Sequence, residues 1–401
     1  MWIATIAIAV LYVGTTVLTP LYPIYQHTFG ISQLTITIIY AVYVVGNLTV
    51  LFLFGRLSDQ IGRRVTSILA FGLTLLSAAV FLLSQGAPGL SIGRAINGFA
   101  AGLGAGALTA WIAELEPQKN RARAAVIASS GNLGGLAVGG VVSGLLAQYA
   151  AAPLRIVFVI YIATLIVVGM LLLRVRETVE NRVESISKLD LHPRIGVPAA
   201  IRFAFIAPAC MAFAAFALGG FFSALTPGLI TRELHLSNVA IVGSVVTLFF
   251  TAACLTAVST WKLSSWAAMF CGAVAVFPAV GLLIGAEASR SITLLLVASA
   301  VGGAAMALSY RGSLQVLNEI APQDKRAEVV SAYLLMCYLG NSLPVLGVGW
   351  LATTLEPPQA HEIFAGVVAV LALAAILTGA SGRKRQRQRE ERHESAHAHA
   401  G

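Results

Sequence analysis

Twelve long apolar runs, separated by short polar segments, limit the possible folds of this chain more than any other feature. Each run is close to the roughly 20 residues that an α-helix needs to cross the hydrocarbon core of a bilayer. With 58% hydrophobic residues and a mean hydropathy of +0.84, the chain carries too much apolar surface for a soluble globular protein. The sequence therefore predicts an all-α polytopic membrane protein with twelve transmembrane helices. The runs lie near residues 2–22, 34–54, 65–86, 89–112, 125–149, 154–173, 201–230, 238–259, 266–285, 292–313, 329–351 and 363–380.

The net charge of +9 comes from 26 Lys and Arg against 17 Asp and Glu. Most of these cations lie in alternate loops and in the tail, on one membrane side, whereas the opposite loops hold only Arg155, Arg232 and Arg290. Lys and Arg concentrate in the cytoplasmic loops of membrane proteins. The orientation of the protein in the membrane thus explains its positive charge, and no nucleic acid partner is needed. Both termini are predicted to be cytoplasmic. No basic region precedes the first run, which is predicted to remain as a membrane helix rather than to act as a signal peptide.

A charged segment, residues 55–64, separates the second and third runs. Gly55 and Gly62 allow two helix ends to approach closely. Asp59 and Arg63 are four residues apart, which permits an ion pair on a helix. The pattern Gly-x-Leu-Ser-Asp-x-x-Gly-Arg-Arg resembles the signature between helices 2 and 3 of the major facilitator superfamily of secondary transporters.

This resemblance implies a conformational latch made by Gly55, Asp59, Gly62, Arg63 and Arg64. In the family, the acidic residue also meets the amino end of helix 11, which here follows Lys325-Arg326, and closes the cytoplasmic side while the transporter faces outward. The corresponding turn of the second half, residues 260–263, has neither the acid nor the glycines. The latch is therefore expected to be one-sided.

Two sequence echoes indicate an internal repeat. Residues 114–122 and 319–327 both read Glu-x-x-Pro-Gln-x-x-Arg-Ala, and Leu-Thr-Pro occurs at 18–20 and at 225–227. Together with the resemblance, they imply two parallel six-helix repeats with substrate held between them near the midplane. The expected domains are an amino-terminal bundle at 1–173, a cytoplasmic linker at 174–200, a carboxy-terminal bundle at 201–382 and a disordered basic tail at 383–401.

Arginines within the membrane runs are candidates for cargo binding or ion coupling. Arg94 and Asn97 resemble the superfamily motif Arg-x-x-Gln-Gly, with Asn97 in place of Gln. Arg94 either faces the cavity, attracting anions or tuning a carboxyl group, or extends outward to lipid phosphate. Arg311 lies toward the inner end of its run, and it either contacts anions in the inner part of the cavity or extends to lipid phosphate. No carboxylate is expected at mid-depth, so Asp59 or Glu114 is the preferred proton carrier if protons drive transport; facilitated diffusion and proton carriage by substrate stay open.

The fifth run carries glycines at 131, 135, 139 and 140 that are similar to the antiporter motif of drug exporters. Leu136 stands where that motif has proline. Glycines four apart also form a smooth face for close helix packing, which is the alternative reading of Gly131, Gly135, Gly139 and Gly140. Pro20 and Pro227 each remove a backbone hydrogen bond, and we expect them to act as hinges of an outer gate.

The leading functional hypothesis is a secondary transporter that moves a small organic molecule by alternating access, by proton-coupled efflux. The alternatives are an uptake symporter or facilitator for a metabolite, with anions as candidates because of the two arginines, and a non-transporting membrane receptor. An enzyme is not expected, because no nucleophile with a base, mid-membrane carboxylate pair or histidine cluster occurs. The expected partners are the lipid bilayer, the cargo and candidate protons, with no cofactor, metal or protein partner. The expected location is a bacterial-type inner membrane.

Overall fold

The computed structural model of the chain describes residues 1–180, 182–183 and 195–398, with side chains for all of these except 122 and 381–398. Within these residues the secondary structure is entirely helical, and twelve helices are long and apolar enough to cross a membrane. The predicted fold class is thereby confirmed. The helices are α1 Trp2–Phe29, α2 Gln33–Phe54, α3 Arg63–Leu83, α4 Ala87–Leu115, α5 Arg121–Tyr149, α6 Pro153–Leu172, α7 Ala199–Glu233, α8 Val239–Ser259, α9 Ser265–Ala288, α10 Ile292–Ile320, α11 Gln323–Leu351 and α12 Pro357–Ala380. Part of the predicted linker, residues 181 and 184–194, lies outside the described residues.

Short polar caps explain where several helices begin. Ser32, Asn120 and Ser264 each have extended backbone angles, and their side-chain oxygens accept a hydrogen bond from an N–H of the following first turn. Such caps satisfy donors that would otherwise lack partners at a helix start. The apolar runs therefore end at chemically defined positions rather than merging into one another.

Two helices are irregular at the prolines that were expected to be hinges. In α1, a 3₁₀ turn at Thr19–Leu21 contains Pro20. In α7, Pro227 lies between two π-helical turns, Phe221–Leu225 and Leu229–Glu233. A proline has no N–H for the regular helical bond, and the neighbouring turns rearrange around the gap. The hinge function of these positions stays a prediction.

The twelve helices form two bundles, α1–α6 and α7–α12, which meet where α5 packs on α8 and α2 packs on α11. We call the membrane side that carries residues 55–64 the hairpin side and the opposite side the far side. The hydrogen bonds between the bundles include Thr247 Oγ1 to Ala137 O at 2.9 Å, Tyr40 Oη to Asn341 Oδ1 at 3.0 Å, and Val239 N to Gln148 Oε1 at 2.8 Å.

Glycines bring the bundles into backbone contact between the midplane and the far side. A Cβ on Gly144 would lie 2.9 Å from the Cα of Gly243, and one on Gly140 would lie 3.0 Å from Thr247 Oγ1. Real Cβ atoms rarely approach so closely, so only glycine fits this α5–α8 contact. Because these contacts between described residues lie from mid-membrane outward, they close the far side of the structure.

The helical backbone of α12 continues beyond the membrane segment to Ala398. The sequence predicts a disordered basic tail from 383, and this disorder stays a prediction. Arg, Gln, Glu and Ala dominate residues 383–398 and all have favourable helix propensity, so the end of α12 can extend without a stop signal.

Candidate functional site

Four tyrosines from both bundles converge near the middle of the membrane. Electrostatic interaction links the hydroxyl of Tyr338 with those of Tyr12, Tyr43 and Tyr310, which places the four side chains near one another. These four residues, which we call the tyrosine cluster, come from α11, α1, α2 and α10. All four side chains are partly exposed, although they lie deep in the protein. The cluster therefore lines a solvent-accessible space between the bundles.

The chemistry of the tyrosine cluster is polar and aromatic. The Tyr12 hydroxyl interacts with the amide of Asn132 on α5. Within the part of the chain that the structure describes, no ion pair involves a residue of the cluster or its amide neighbour. Aromatic rings with polar tips can stack on a ligand and donate or accept hydrogen bonds. The site can thus bind a small molecule by ring contact and hydrogen bonding.

Arg94 lies behind this space, on α4, and is only 1% exposed. Its guanidinium donates to Thr15 O at 2.9 Å and to Tyr22 Oη at 2.5 Å. Its charge lies 5.8 to 5.9 Å from the ring centres of Tyr22, Tyr40 and Tyr43, where cation–π attraction operates. Aromatic faces therefore stabilise a buried cation for which the described residues provide no carboxylate.

Two atoms beside this arrangement have no hydrogen-bond partner among the described residues: Arg94 Nε and Asn97 Oδ1. Asn97 is 1% exposed and faces α1, since a Cβ on Gly14 would lie 3.2 Å from its Nδ2. Orphaned buried polar atoms cost free energy and are frequent at functional sites. Arg94 and Asn97, which the sequence identified as candidates, thus occupy one buried polar pocket next to Tyr43.

The second cluster lies on the hairpin side and centres on Arg63, at the start of α3. Its guanidinium contacts Asp59 Oδ1 at 2.5 Å and Glu114 Oε1 at 2.8 Å, and it donates to Ser58 Oγ at 2.7 Å. The ion pair of Asp59 and Arg63 therefore forms, and Glu114 of α4 joins it. Within the described residues no hydrogen bond or ion pair joins Asp59 to α11, so the latch across the bundles stays a prediction for the conformation closed on this side.

Residues 177–180 and 182–183, which we call the strap, contact the hairpin formed by residues 55–64. The Glu177 carboxylate accepts hydrogen bonds from the N–H groups of Arg63 at 2.9 Å and Arg64 at 3.1 Å, and the N–H of Val183 donates to Gln60 O at 2.9 Å. Burial opposes ionisation of Glu177, but backbone N–H groups, from its own strap and from the start of α3, hold its pKa below the ordinary value. The strap thus caps α3 with a negative charge.

The two hairpin glycines differ in their roles. Gly62 has φ of +108°, and a Cβ there would lie 2.5 Å from Glu177 Oε2. Only glycine allows both this backbone angle and the close approach of the strap. Gly55 has ordinary helical angles, and a Cβ there would approach, among the described residues, only the carbonyl of Leu51 in its own helix.

The corresponding position of the second bundle uses different chemistry. Arg311 donates to the carbonyl oxygens of Thr260, Trp261 and Leu263, the last two at 2.9 Å. A cation at the end of α8 offsets the negative end of the helix dipole. Ser265, at the start of α9, donates to Glu319 at 2.6 Å, which parallels the contact of Arg63 with Glu114. The donors of Arg311 are thus occupied by backbone oxygens, and its role toward anions stays untested.

The glycines of α5 lie in two helix contacts. Gly131, Gly135 and Gly139 face α1, against Ile8, Ala9 and Val13, and Gly140 faces α8. Thr16 of α1 donates to Leu136 O at 2.8 Å, at the position where the antiporter motif carries proline. The run therefore sets the distance between α5 and both neighbours, including its partner in the other bundle.

Several residues of these sites were missed by reasoning from sequence. Tyr12 and Tyr310 lie in apolar runs with no motif around them, and only the three-dimensional packing brings them together. Glu177 falls in the predicted linker, where two nearby arginines indicate only a charged surface. Glu287 and His361, which form a buried pair at 2.8 Å between α9 and α12, lie 74 residues apart in sequence.

Comparisons with known proteins agree with this architecture. A D-xylose-proton symporter is 16% identical, with a TM-score of 0.71 over 93% of this chain and 96% of that chain. A nucleoside transporter, NupG, is 14% identical, with a TM-score of 0.70 over 94% of this chain and 98% of that chain. A bacterial homologue of the human lysosomal transporter Spinster, inward-facing and occupied, is 17% identical, with a TM-score of 0.66 over 96% of both chains.

At such identities these likenesses establish the fold alone. No curated protein matches the sequence. The family model described as Major Facilitator Superfamily matches residues 4–284 and 209–400, which together span nearly the whole chain. With its twelve helices, two bundles and hairpin signature, the chain belongs to the major facilitator superfamily of transporters.

Proposed function

We propose that this protein is a secondary transporter that moves a small organic molecule by alternating access, with the tyrosine cluster as its binding site. The observation that carries the proposal is the convergence of Tyr12, Tyr43, Tyr310 and Tyr338, two from each bundle, in a partly exposed space. A ligand bound there contacts both bundles. Rocking of the bundles about the ligand would transfer it from one membrane side to the other.

The composition of the site favours a cargo with an aromatic or polar, uncharged part. Phenol rings and an amide provide stacking and hydrogen bonds, and Arg94 lies behind Tyr22, Tyr40 and Tyr43 with its guanidinium already in contact with ring faces and oxygens. An anion would have to displace these contacts to reach the guanidinium. This reading places Arg94 in support of the site rather than in direct contact with cargo.

We assign the hairpin side to the cytoplasm of a bacterial-type inner membrane, because Lys and Arg concentrate in its loops. The structure, closed on the far side, then corresponds to a conformation that receives cargo from the cytoplasm. The glycine run of α5, at the contacts with α1 and α8, supports proton-coupled export. Uptake remains the second candidate, supported by the fold likeness to a D-xylose-proton symporter.

A thermal-shift screen of the purified protein against compound classes would identify the cargo, since a ligand that binds only the folded state raises its stability. Accumulation of that compound in cells then separates the two directions. Export predicts higher accumulation when a protonophore is added, whereas uptake predicts lower accumulation.

The screen is repeated with Tyr43→Ala, Tyr338→Ala and a control, Tyr149→Ala, whose side chain is 74% exposed at the end of α5. Loss of the thermal shift in the first two variants, with the control unchanged, supports the site. An equal shift in all three variants would place the binding site elsewhere.

A further inference from the structure

A buried pair of ionisable side chains lies within the second bundle, outside the tyrosine cluster and the hairpin network. Glu287, in the last turn of α9, and His361, in the first turns of α12, are 2.8 Å apart between Oε1 and Nδ1. Their side chains are only 5% and 7% exposed. The described residues provide no other ion pair within the far-side half of this bundle.

The surroundings of the pair are aromatic. The ring of Phe221, on α7, lies 5.2 Å from the imidazole ring and 4.8 Å from the ring of Phe364. The remaining ionisable groups near the far-side ends of α7, α9, α10 and α12 are exposed, except for the half-buried Glu233. They are Arg232, Glu233, His235, Arg290, Glu356 and Glu362. The imidazole therefore packs against an apolar ring, and most of the other charged groups near it lie at the surface.

A carboxylate and an imidazole in such contact share a proton as a unit. With one shared proton the pair has no net charge, as an ion pair or as a neutral acid and base. Without that proton it has a net negative charge, and burial of a net charge among apolar groups costs far more than burial of a neutral pair. Loss of the proton therefore favours any movement that brings water to Glu287.

The element best placed to move is α7. Phe221, whose ring packs against the imidazole in a T-shaped arrangement, is the first residue of the π-helical turn Phe221–Leu225, where the regular hydrogen-bonding pattern is already interrupted. The segment Thr226–Gly228 follows directly and packs against Tyr22–Phe29 of α1. The pair is thus connected, through one aromatic ring and one irregular turn, to a contact between the bundles on the far side.

From this arrangement we propose that Glu287 and His361 form a proton-binding site whose occupation keeps the far side closed. The ligand is a proton from the far-side solution. Binding neutralises the pair and stabilises the packing of Phe221 over it, and release weakens that packing and the contact of α7 with α1. The site acts on conformation and depends on neither the cargo nor the direction of transport.

The test measures far-side opening as a function of pH. Spin labels at Tyr149 and Thr354, in a variant whose four native cysteines are replaced, report the distance between the bundles by double electron–electron resonance. Wild type is expected to move from a short to a longer distance with rising pH, in a single-proton transition. Glu287→Gln, a neutral mimic of the protonated acid, is expected to keep the short distance throughout. Glu362→Gln, which changes an exposed acid beside His361, is expected to behave as wild type.

A second measurement covers the case in which Glu287→Gln does not fold. Potentiometric titration of detergent-solubilised wild type and His361→Gln is expected to differ by one bound proton over the pH range of the distance change. The proposal is overturned if Glu287→Gln opens with the wild-type pH dependence, or if the titration curves coincide. A purely structural pair would lower thermal stability without abolishing the pH response. Far-side opening that responds to cargo but not to pH would remove this site and leave the transporter proposal intact.

Discussion

The glycine contact between α5 and α8 allows the closure of the far side to be tested by a glycine-to-alanine substitution, which adds one methyl group at the contact. In Gly144→Ala the new Cβ would lie 2.9 Å from the Cα of Gly243, 3.2 Å from its N and 3.5 Å from the Cα of Ala240. Backbone atoms of two packed helices cannot relax as a side chain can. We therefore expect the bundles to separate at this point rather than to absorb the methyl group.

The size of the effect follows from overpacking. Extra methyl groups in tightly packed interiors cost about 1 to 3 kcal/mol. This cost applies only to the conformation closed on the far side, so the equilibrium shifts toward the far-side-open state by a factor of about 5 to 150. The matched control is Gly134→Ala in the same helix, where a Cβ meets nothing within 4 Å. Both changes raise helix propensity equally, so this contribution cancels.

The distance distribution between spin labels at Tyr149 and Thr354 measures the shift. Gly144→Ala is expected to add a population at longer distance, and Gly134→Ala is expected to match wild type. Identical distributions in the two variants would refute the reasoning, because the α5–α8 contact would then not hold the far side closed. A loss of folding in Gly144→Ala alone would be recognised by its thermal transition and replaced by Gly140→Ala, whose Cβ meets Thr247 at 3.0 Å.

Three further changes test the hairpin and the buried arginine. Glu177→Gln removes the carboxylate that caps α3 and is expected to lower stability at neutral pH by about 1 to 2 kcal/mol, measured by thermal unfolding beside the exposed control Glu180→Gln. The pKa of Glu177 in the folded protein lies below its ordinary value. The stabilisation by the ionised carboxylate is therefore complete at pH values above the ordinary pKa, and it is lost as the pH falls through the lowered pKa. Arg94→Lys cannot maintain the planar bonds to Thr15 and Tyr22 and is expected to lose about 1.5 to 3 kcal/mol of stability; an effect no larger than that of the exposed Arg155→Lys would contradict the buried-cation account. Asp59→Asn is expected to weaken closure of the hairpin side and to reduce transport by reconstituted protein, and unchanged transport would remove the latch assignment.

The number and order of the membrane helices could be predicted because a helix that crosses lipid needs a long apolar run, and each such run is visible in the sequence. The hairpin was recognisable for a similar reason, since charged residues such as Arg56 and Asp59 are conspicuous between apolar segments. The repeat at residues 114–122 and 319–327 indicated two bundles. Each of these signals is local or periodic, so one sequence contains it.

The candidate binding site could not be predicted in the same way. Tyr12 and Tyr310 look like packing residues until α1 and α10 are brought together, as do Tyr161 and Tyr333, which are buried. The conformation closed on the far side depends on glycine contacts between helices distant in sequence. The pair formed by Glu287 and His361 needs the α9–α12 contact.

Accessibility of the tyrosine cluster from each membrane side tests the central claim most directly. Tyr338→Cys, in a variant without the four native cysteines, is treated with a membrane-impermeant thiol reagent in sealed vesicles of either orientation. Alternating access predicts rapid reaction from the hairpin side and slow reaction from the far side, with Gly144→Ala raising the second rate and lowering the first. The account would be contradicted if Gly144→Ala raised the reaction rate from both sides, or if no reaction occurred from either side.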